Sequence, residues 1–102
     1  MKNIFINSMM IKDTDVNKLR IHPKRILDKM DNYQIYVGFV QYYTKAKRYN
    51  DYKSGCIAIK LLKYMEKYRP MCDMILPMYR CMKYDDTILV THPPKEYKHS
   101  VI

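Results

Sequence analysis

Glycine and tryptophan are scarce in this chain, whose 102 residues include two glycines and no tryptophan. With only Gly38 and Gly55 available, a glycine-rich loop that holds phosphate through its backbone N–H groups is excluded. Phenylalanine occurs twice, whereas methionine occurs nine times and tyrosine eleven times. Methionine fills irregular gaps and tyrosine carries a hydroxyl that needs a partner or water, so this composition favours thin helical layers with much interfacial surface.

Long apolar runs and paired cysteines are also missing. The longest uncharged run, residues 32–44, is too short to cross a bilayer. The first residues show neither the Arg- and Ser-rich pattern of a transit peptide nor the long apolar segment of a secretory signal. Three cysteines cannot form a closed set of disulfides, so we expect Cys56, Cys72 and Cys81 to be reduced core residues.

The length and charge of the chain set the next limits. A chain of this size forms one domain and buries about two-thirds of the surface that its unfolded form exposes. The formal net charge is +9. Such a basic balance favours an acidic partner, which can be nucleic acid, anionic lipid or an acidic protein face. A solvated helical surface rich in lysine gives the same balance without any partner.

We divide the chain into an N-terminal arm (1–12), one helical domain (13–90) and a C-terminal tail (91–102). The arm is apolar and loosely patterned, and we expect it to dock on a partner. The tail is polar and stiffened by proline. Glycine is too rare to supply the turns between alternating strands, so a β architecture is not expected.

The helical domain is predicted to contain four main helices and about five in all. The first opens at Asp13 as its N-cap, and Pro23 separates it from a short segment over 24–30. Apolar residues spaced by three or four positions predict helices over 33–47 and from Asn50 or Asp51 to Tyr68. The remaining predicted elements are a helix over 71–83 that Pro77 kinks or shortens, and a short extended or one-turn element at 87–90.

The two longest helices must fold back on each other, because only three or four residues separate them. The sequence therefore predicts an αα-hairpin. Its inward faces are expected to carry Ile35, Phe39, Tyr42 and Ala46 on one helix, and Ile57, Leu61, Tyr64, Met65 and Tyr68 on the other.

Catalytic and metal-binding patterns are not found in the sequence. The histidines (His22, His92, His99) and the cysteines show no CxxC or HxxxH spacing, so a structural zinc site is not expected. Ser54 lies in the first turn of a helix without a strained elbow, and the adjacent carboxylates Asp85 and Asp86 lie beside an exposed break. We therefore expect no enzymatic activity and no cofactor bound by this chain.

Lysines form the most distinctive surface pattern. Lys53, Lys60, Lys63 and Lys67 follow the polar side of the second hairpin helix. Lys45, Lys47 and Arg48 lie at the adjoining elbow, interleaved with tyrosines at 42, 43, 49 and 52. Cations beside aromatic rings suit single-stranded nucleic acid, but lysine stems also cover apolar surface while their charges remain solvated. No recognised nucleic-acid-binding motif accompanies the lysines, so the sequence favours the solvated surface.

Several segments in this order resemble a known family. Residues 13–20 (DTDVNKLR) are similar to the D-x-D-x-x-x-L-R opening of cytochrome c oxidase subunit Va, called subunit VI in fungi. Residues 47–52 (KRYNDY) resemble its R-R-x-N-D-aromatic elbow, and Pro77 and Ile88 have counterparts in its last helix and exit. The chain departs from the family at Pro23 and at Asp31–Gln34, which lacks a proline, and in its basic charge.

The resemblance implies an all-α, right-handed superhelix of antiparallel helix pairs, similar to tetratricopeptide stacks. It implies a non-catalytic structural subunit of respiratory complex IV, peripheral on the matrix side of the mitochondrial inner membrane and without a transmembrane span. Haem a and copper would belong to neighbouring subunits, and the other oxidase subunits would be the partners. The alternative function is a small basic helical RNA-binding or mitoribosome-associated protein. A generic tetratricopeptide-like adaptor is a third, although no second copy of the hairpin repeats at that period.

Two sets of residues follow from this reading. The candidate partner contacts are Lys45, Lys47, Arg48, Tyr49, Lys53 and Lys60. The candidate structural caps are Asp13, Asn50 and Asp51.

Overall fold

A computed structural model of the chain describes residues 4–82. The elements are strands β1 (Ile4–Ile6) and β2 (Met9–Ile11), followed by helices α1 (Asp13–Lys18), α2 (Lys24–Leu27), α3 (Asn32–Tyr49), α4 (Tyr52–Tyr68) and α5 (Ile75–Cys81). Helix accounts for 66% of the structure. The predicted helical class with four to five helices is confirmed, whereas the element at 87–90 and the tail from 91 lie outside the described residues.

Helix α4 is the central element of the fold. It packs against α3, α1, α5 and β2, so most of its circumference is covered. Its buried residues run without a break from Ser54 to Ile59 and continue through Leu61, Leu62, Tyr64 and Met65. The sequence predicted one apolar face for this helix. The structure buries more of it, because small side chains in its first turns let neighbouring elements approach from several sides.

The predicted αα-hairpin is confirmed, with α3 and α4 joined through Asn50 and Asp51. Helix α3 begins with a capping box, in which the Asp31 carboxylate accepts from the Gln34 backbone N–H and the Gln34 side chain accepts from the Asp31 N–H. This box starts the helix without a proline. Inside the hairpin, Phe39 stacks on Tyr43 with their ring centroids 5.6 Å apart.

Two tyrosines differ from the predicted inward faces. Tyr43 rather than Tyr42 is buried in α3, and Tyr42 is only half-buried. Tyr68 was predicted to face the core but is 43% exposed. It lies at the last turn of α4, where the polypeptide turns away at Arg69 and leaves one side of the ring open.

The N-terminal residues form a β-hairpin instead of a free arm. Strand β1 pairs antiparallel with β2, with Ile4 opposite Ile11 and Ile6 opposite Met9. Asn7 turns the chain with φ of 55°, a left-handed conformation that asparagine tolerates. Ile4, Ile6 and Ile11 are at most 1% exposed and belong to the main core. The expectation of an arm that docks on a partner is therefore wrong for residues 4–11, because the chain's own helices bury their apolar side chains.

The ends of α1 and α5 also differ from the prediction. Asp13 is not the N-cap of α1: Lys12 holds that position, without a side-chain cap, and the Asp13 carboxylate forms an ion pair with Lys63 on α4. Helix α5 begins at Ile75 rather than at 71. Pro77 consequently lies in its first turn, where the missing N–H would have had no intrahelical partner.

The β-hairpin packs closely against α4 at Gly55. A Cβ placed there would lie 2.9 Å from Cδ1 of Ile11 and 3.3 Å from Cδ1 of Ile6. Both isoleucines are buried, so Gly55→Ala should lower the free energy of unfolding by about 1–2 kcal/mol despite the better helix propensity of alanine. Urea unfolding followed by circular dichroism measures this difference.

Gly38→Ala is the matched control on α3. The added Cβ would meet Cδ1 of Leu61 at 3.4 Å, an acceptable contact. This variant should be neutral or gain up to about 1 kcal/mol through helix propensity. Equal destabilisation of both variants would contradict the close packing of the β-hairpin on Gly55.

Glu66 joins α4 to α5, since its Oε2 accepts a hydrogen bond from the Tyr79 hydroxyl at 2.7 Å. Burial raises the pKa of the Glu66 carboxyl, and the Tyr79 hydrogen bond and the Lys63 charge only partly oppose it. A carboxyl whose pKa is higher in the folded state than in the unfolded chain favours folding in its protonated form. The folded protein therefore loses stability at this position as the pH rises through the folded-state pKa.

Glu66→Gln should raise the free energy of unfolding at pH 7, because the neutral amide can still accept from Tyr79. The advantage should shrink as the pH falls through the folded-state pKa, and vanish below the ordinary glutamate pKa of 4.5. Denaturant unfolding across this pH range measures the trend. Asp73→Asn, which removes an exposed carboxylate, controls for the change in net charge. The same gain in both variants would contradict a specific effect of burial at Glu66.

Candidate interaction surfaces

The elbow between α3 and α4 is built by two capping residues. Asn50 ends α3 in the left-handed conformation, with φ of 51° and ψ of 42°. Asp51 is the N-cap of α4, where its Oδ1 accepts from the Ser54 N–H at 3.3 Å and its Oδ2 from the Ser54 hydroxyl at 2.8 Å. Of the two residues predicted to start this helix, Asp51 is therefore its N-cap, whereas Asn50 caps the end of α3.

The β-hairpin and α1 are tied to this elbow. The Asn7 side chain donates to the Lys47 carbonyl oxygen at 2.6 Å and to Asn50 Oδ1 at 3.0 Å. The Tyr52 hydroxyl accepts from the Lys12 N–H at 3.0 Å and donates to Asp15 at 2.6 Å. Much of the elbow is thus a structural joint, and only some of its side chains are left for a partner.

The elbow side chains that remain open are Arg48 and Tyr49. Arg48 is exposed, and the Tyr49 ring is 67% exposed. Lys45 is exposed as well, although its ammonium lies 3.9 Å from the Asp51 carboxylate. These residues form the outer surface of the turn, which is where the sequence placed the candidate partner contacts.

Lys47 and Arg48 line an open cleft of about 440 Å³, together with Tyr43, Thr44 and Cys81. The Lys47 ammonium lies 5.7 Å from the centroid of the Tyr43 ring. Burial raises the pKa of the Cys81 thiol and the nearby Lys47 opposes this shift, so the thiol is protonated at neutral pH. This cleft lies on the α3 and α5 side of the molecule.

Lys60 lies in a different place, so the six candidate contacts do not form one surface. It lines a second cleft, enclosed by α1, the α1–α2 connection, α2 and α4, which we call the basic cleft. We call its part of about 260 Å³ the inner part and the adjoining part of about 690 Å³ the outer part, and the two share Asn17 and Lys60. The inner part is lined by Val16, Asn17, His22, Lys24, Leu27, Lys60, Lys63, Tyr64, Lys67 and Tyr68, and the outer part adds Lys18, Leu19, Arg20 and Pro23. Lys53 is exposed on the same helix but is not among these lining residues.

Cations dominate the basic cleft. Five lysines and one arginine line it, and no carboxylate does so among the residues of 4–82. Two of the lysines have carboxylate partners just outside the lining: Lys24 pairs with Asp28 at 2.8 Å, and Lys63 pairs with Asp13. The arrangement concentrates positive potential in a concave surface, which attracts anions.

Two lysines of the cleft are partly removed from water. Burial lowers the pKa of the Lys60 and Lys63 ammonium groups. The Lys60 Nζ donates to the carbonyl oxygen of Leu19, the residue that ends α1. This contact fixes the ammonium at the negative end of α1 and leaves its other two N–H donors available.

His22 lies beside Lys60 in a left-handed backbone conformation, with φ of 64°. Its Nδ1 is buried without a hydrogen-bond partner in the described structure. Burial and the Lys60 charge lower the pKa of the imidazole, so it is neutral at pH 7. The imidazole packs edge-on against the Tyr42 ring, with 6.2 Å between the centroids, and keeps one ring nitrogen unsatisfied.

Tyrosine and arginine side chains make one wall of the cleft rigid. The Tyr64 hydroxyl donates to Asp28 at 2.5 Å, and Arg69 donates to the Leu27 carbonyl oxygen at 3.0 Å. The Tyr68 ring has the Lys24 ammonium 4.6 Å and the Lys67 ammonium 5.3 Å from its centroid.

Sequence reasoning found the α4 lysines but missed their companions from the other side of the cleft. Lys18 and Arg20 were considered only as part of the segment 13–20, and His22 only as a metal ligand. The signal was the recurrence of a cation or imidazole at every second position over 18–24, around Pro23. Residues two positions apart do not share a face of a helix, so this spacing does not indicate a helical surface. These side chains line one cleft only because the α1–α2 connection folds over α4.

Comparison with known proteins identifies no relative: no family model, curated protein or solved structure matches this chain. Among residues 4–82, no helix is both long and apolar enough to cross a membrane. The same residues contain no cluster of three or more His, Cys, Asp or Glu side chains suited to a metal ion.

The cap at Asp51 gives a direct test of the elbow. Asp51→Ala should lower the free energy of unfolding by about 1 kcal/mol, because the Ser54 N–H loses its acceptor. Asp51→Asn keeps an acceptor at the N-cap and should change stability by only a few tenths of that amount. Chemical denaturation of the two variants measures these differences. An unchanged unfolding midpoint in Asp51→Ala would contradict the assignment of Asp51 as the N-cap of α4.

Proposed function

We propose that this chain is a non-catalytic accessory subunit of mitochondrial cytochrome c oxidase, peripheral on the matrix side of the inner membrane. Its role would be to stabilise the assembly by binding neighbouring subunits, which hold the haem a and copper. The observation that carries the proposal is the elbow at residues 47–52. This segment carries the family resemblance, and it forms the joint between α3, α4 and the β-hairpin.

The chemistry of the surface supports a binding role. Arg48 and Tyr49 project from the elbow, where a cation and a large amphipathic ring suit the centre of a protein interface. The excess of positive charge favours an acidic segment of the neighbouring subunit. A right-handed superhelix of helix pairs would present this surface along one concave side, as the resemblance implies.

A small basic RNA-binding or mitoribosome-associated protein is the second candidate function. The basic cleft favours it, because a row of cations follows α4 and the Tyr68 ring lies between Lys24 and Lys67. Such binding would weaken steeply with salt, since phosphate neutralisation releases counterions.

Purification of the tagged protein from mild-detergent extracts tests the two functions. The tag belongs at the C-terminus, because Ile4 is buried and an N-terminal tag would crowd β1. We expect haem a absorbance to migrate with the tag, and little RNA. RNA without haem, lost as the salt concentration rises, would contradict the oxidase assignment and support the second candidate.

Arg48→Glu combined with Tyr49→Ala should reduce the haem that migrates with the tag, because both residues are exposed at the elbow and support no internal contact of the joint. Arg25→Glu makes the same charge change on an exposed part of α2 and should leave the haem unchanged. The ratio of haem absorbance to tagged protein measures the effect. Equal losses in the two variants would contradict a contact at the elbow.

A further inference from the structure

We propose that the basic cleft is a binding site for a soluble small molecule that carries two linked phosphates. This inference rests on the cleft alone and does not depend on the oxidase assignment. The ligand class follows from the charge, the donors and the size of the site.

The charge of the cleft favours an anion. Six cationic side chains line it, and the two nearby carboxylates, Asp13 and Asp28, are already paired with Lys63 and Lys24. In residues 4–82, Lys18, Arg20, Lys60 and Lys67 have no carboxylate partner. A single carboxylate ligand would leave most of this charge uncompensated. A phosphate group carries about −1.5 to −2 at neutral pH, so two linked phosphates match it better.

The donors of the cleft are already in position. The bond to the Leu19 carbonyl holds the Lys60 ammonium, and the His22 imidazole packs edge-on against the Tyr42 ring, with 6.2 Å between the centroids, and lines the same part of the cleft as Lys60. The buried Nδ1 of His22 has no partner within the described structure, so a bound anion that favours the protonated imidazole would give both ring nitrogens a donor role. Lys67 reaches the same space from the next turns of α4.

The size of the inner part favours a compact group. It holds about 260 Å³, which is below the roughly 300–1,000 Å³ of pockets that enclose a drug-sized ligand. Val16 and Leu27 line it with buried apolar side chains. The outer part beside Lys18 and Arg20 holds about 690 Å³ and leaves room for whatever group carries the phosphates.

Calorimetric titration of the full chain with inorganic pyrophosphate tests the site, with inorganic phosphate, ADP and AMP as comparison ligands. Pyrophosphate and ADP should bind several-fold more tightly than phosphate and AMP. Lys67→Gln should weaken pyrophosphate binding by about five- to tenfold, because a charge-assisted contact is lost. Lys60→Gln should do the same, and circular dichroism checks that it still folds without the contact to Leu19.

Lys53→Gln is the matched control, since it removes the same charge from an exposed position of α4 outside the cleft. Pyrophosphate binding should change by less than about twofold in this variant, because an exposed charge outside the site is largely screened. The absence of binding at millimolar pyrophosphate would overturn the proposal. Equal losses in Lys53→Gln and Lys67→Gln, or AMP binding as tightly as ADP, would also overturn it.

Vesicles of phosphatidylglycerol and phosphatidylcholine distinguish a lipid phosphate from a soluble ligand. A soluble diphosphate site predicts that Lys53→Gln and Lys67→Gln weaken vesicle binding equally, since a flat anionic surface responds to total charge. Vesicles that displace pyrophosphate and respond only to Lys67→Gln would overturn the soluble ligand class in favour of a lipid headgroup. None of these results bears on whether haem migrates with the tag. Each proposal can therefore be wrong while the other is right.

Discussion

The burial of α4 on several sides is the constraint on which the rest of the structure depends. Helices α1, α3 and α5 and strand β2 all pack against this one helix. Such close approach requires small side chains, and at Gly55 an added Cβ would lie 2.9 Å from Cδ1 of Ile11 and 3.3 Å from Cδ1 of Ile6. A chain of this length has no second core to compensate for a loss there.

The same constraint explains where the charges lie. Three of the four lysines on α4, Lys60, Lys63 and Lys67, lie on the side that faces the basic cleft. The α1–α2 connection runs beside them and adds Lys18, Arg20 and His22. The cleft is therefore basic because the packing of this connection against α4 brings the two sets of cations together, and the partial burial of Lys60 and Lys63 strengthens their attraction for an anion.

The elbow has two roles that the structure separates. Asn50, Asp51 and Tyr52 serve the fold through capping and through hydrogen bonds to α1 and the β-hairpin. Arg48 and Tyr49 are exposed at the same turn and take no part in those hydrogen bonds. The resemblance of this segment to the oxidase subunit family therefore concerns the turn of the hairpin as much as its exposed surface.

Periodicity and capping chemistry in the sequence were sufficient for the hairpin of α3 and α4, because a helix start such as Asp51 and a 3.6-residue apolar pattern are local properties. The β-hairpin could not be predicted in this way. Its three-residue strands carry too little pattern, and the groove that buries Ile4, Ile6 and Ile11 exists only after the helices pack. The basic cleft is non-local for the same reason. Lysines on α4 could be read from the sequence, but their meeting with Arg20 and His22 depends on how the chain folds back over that helix.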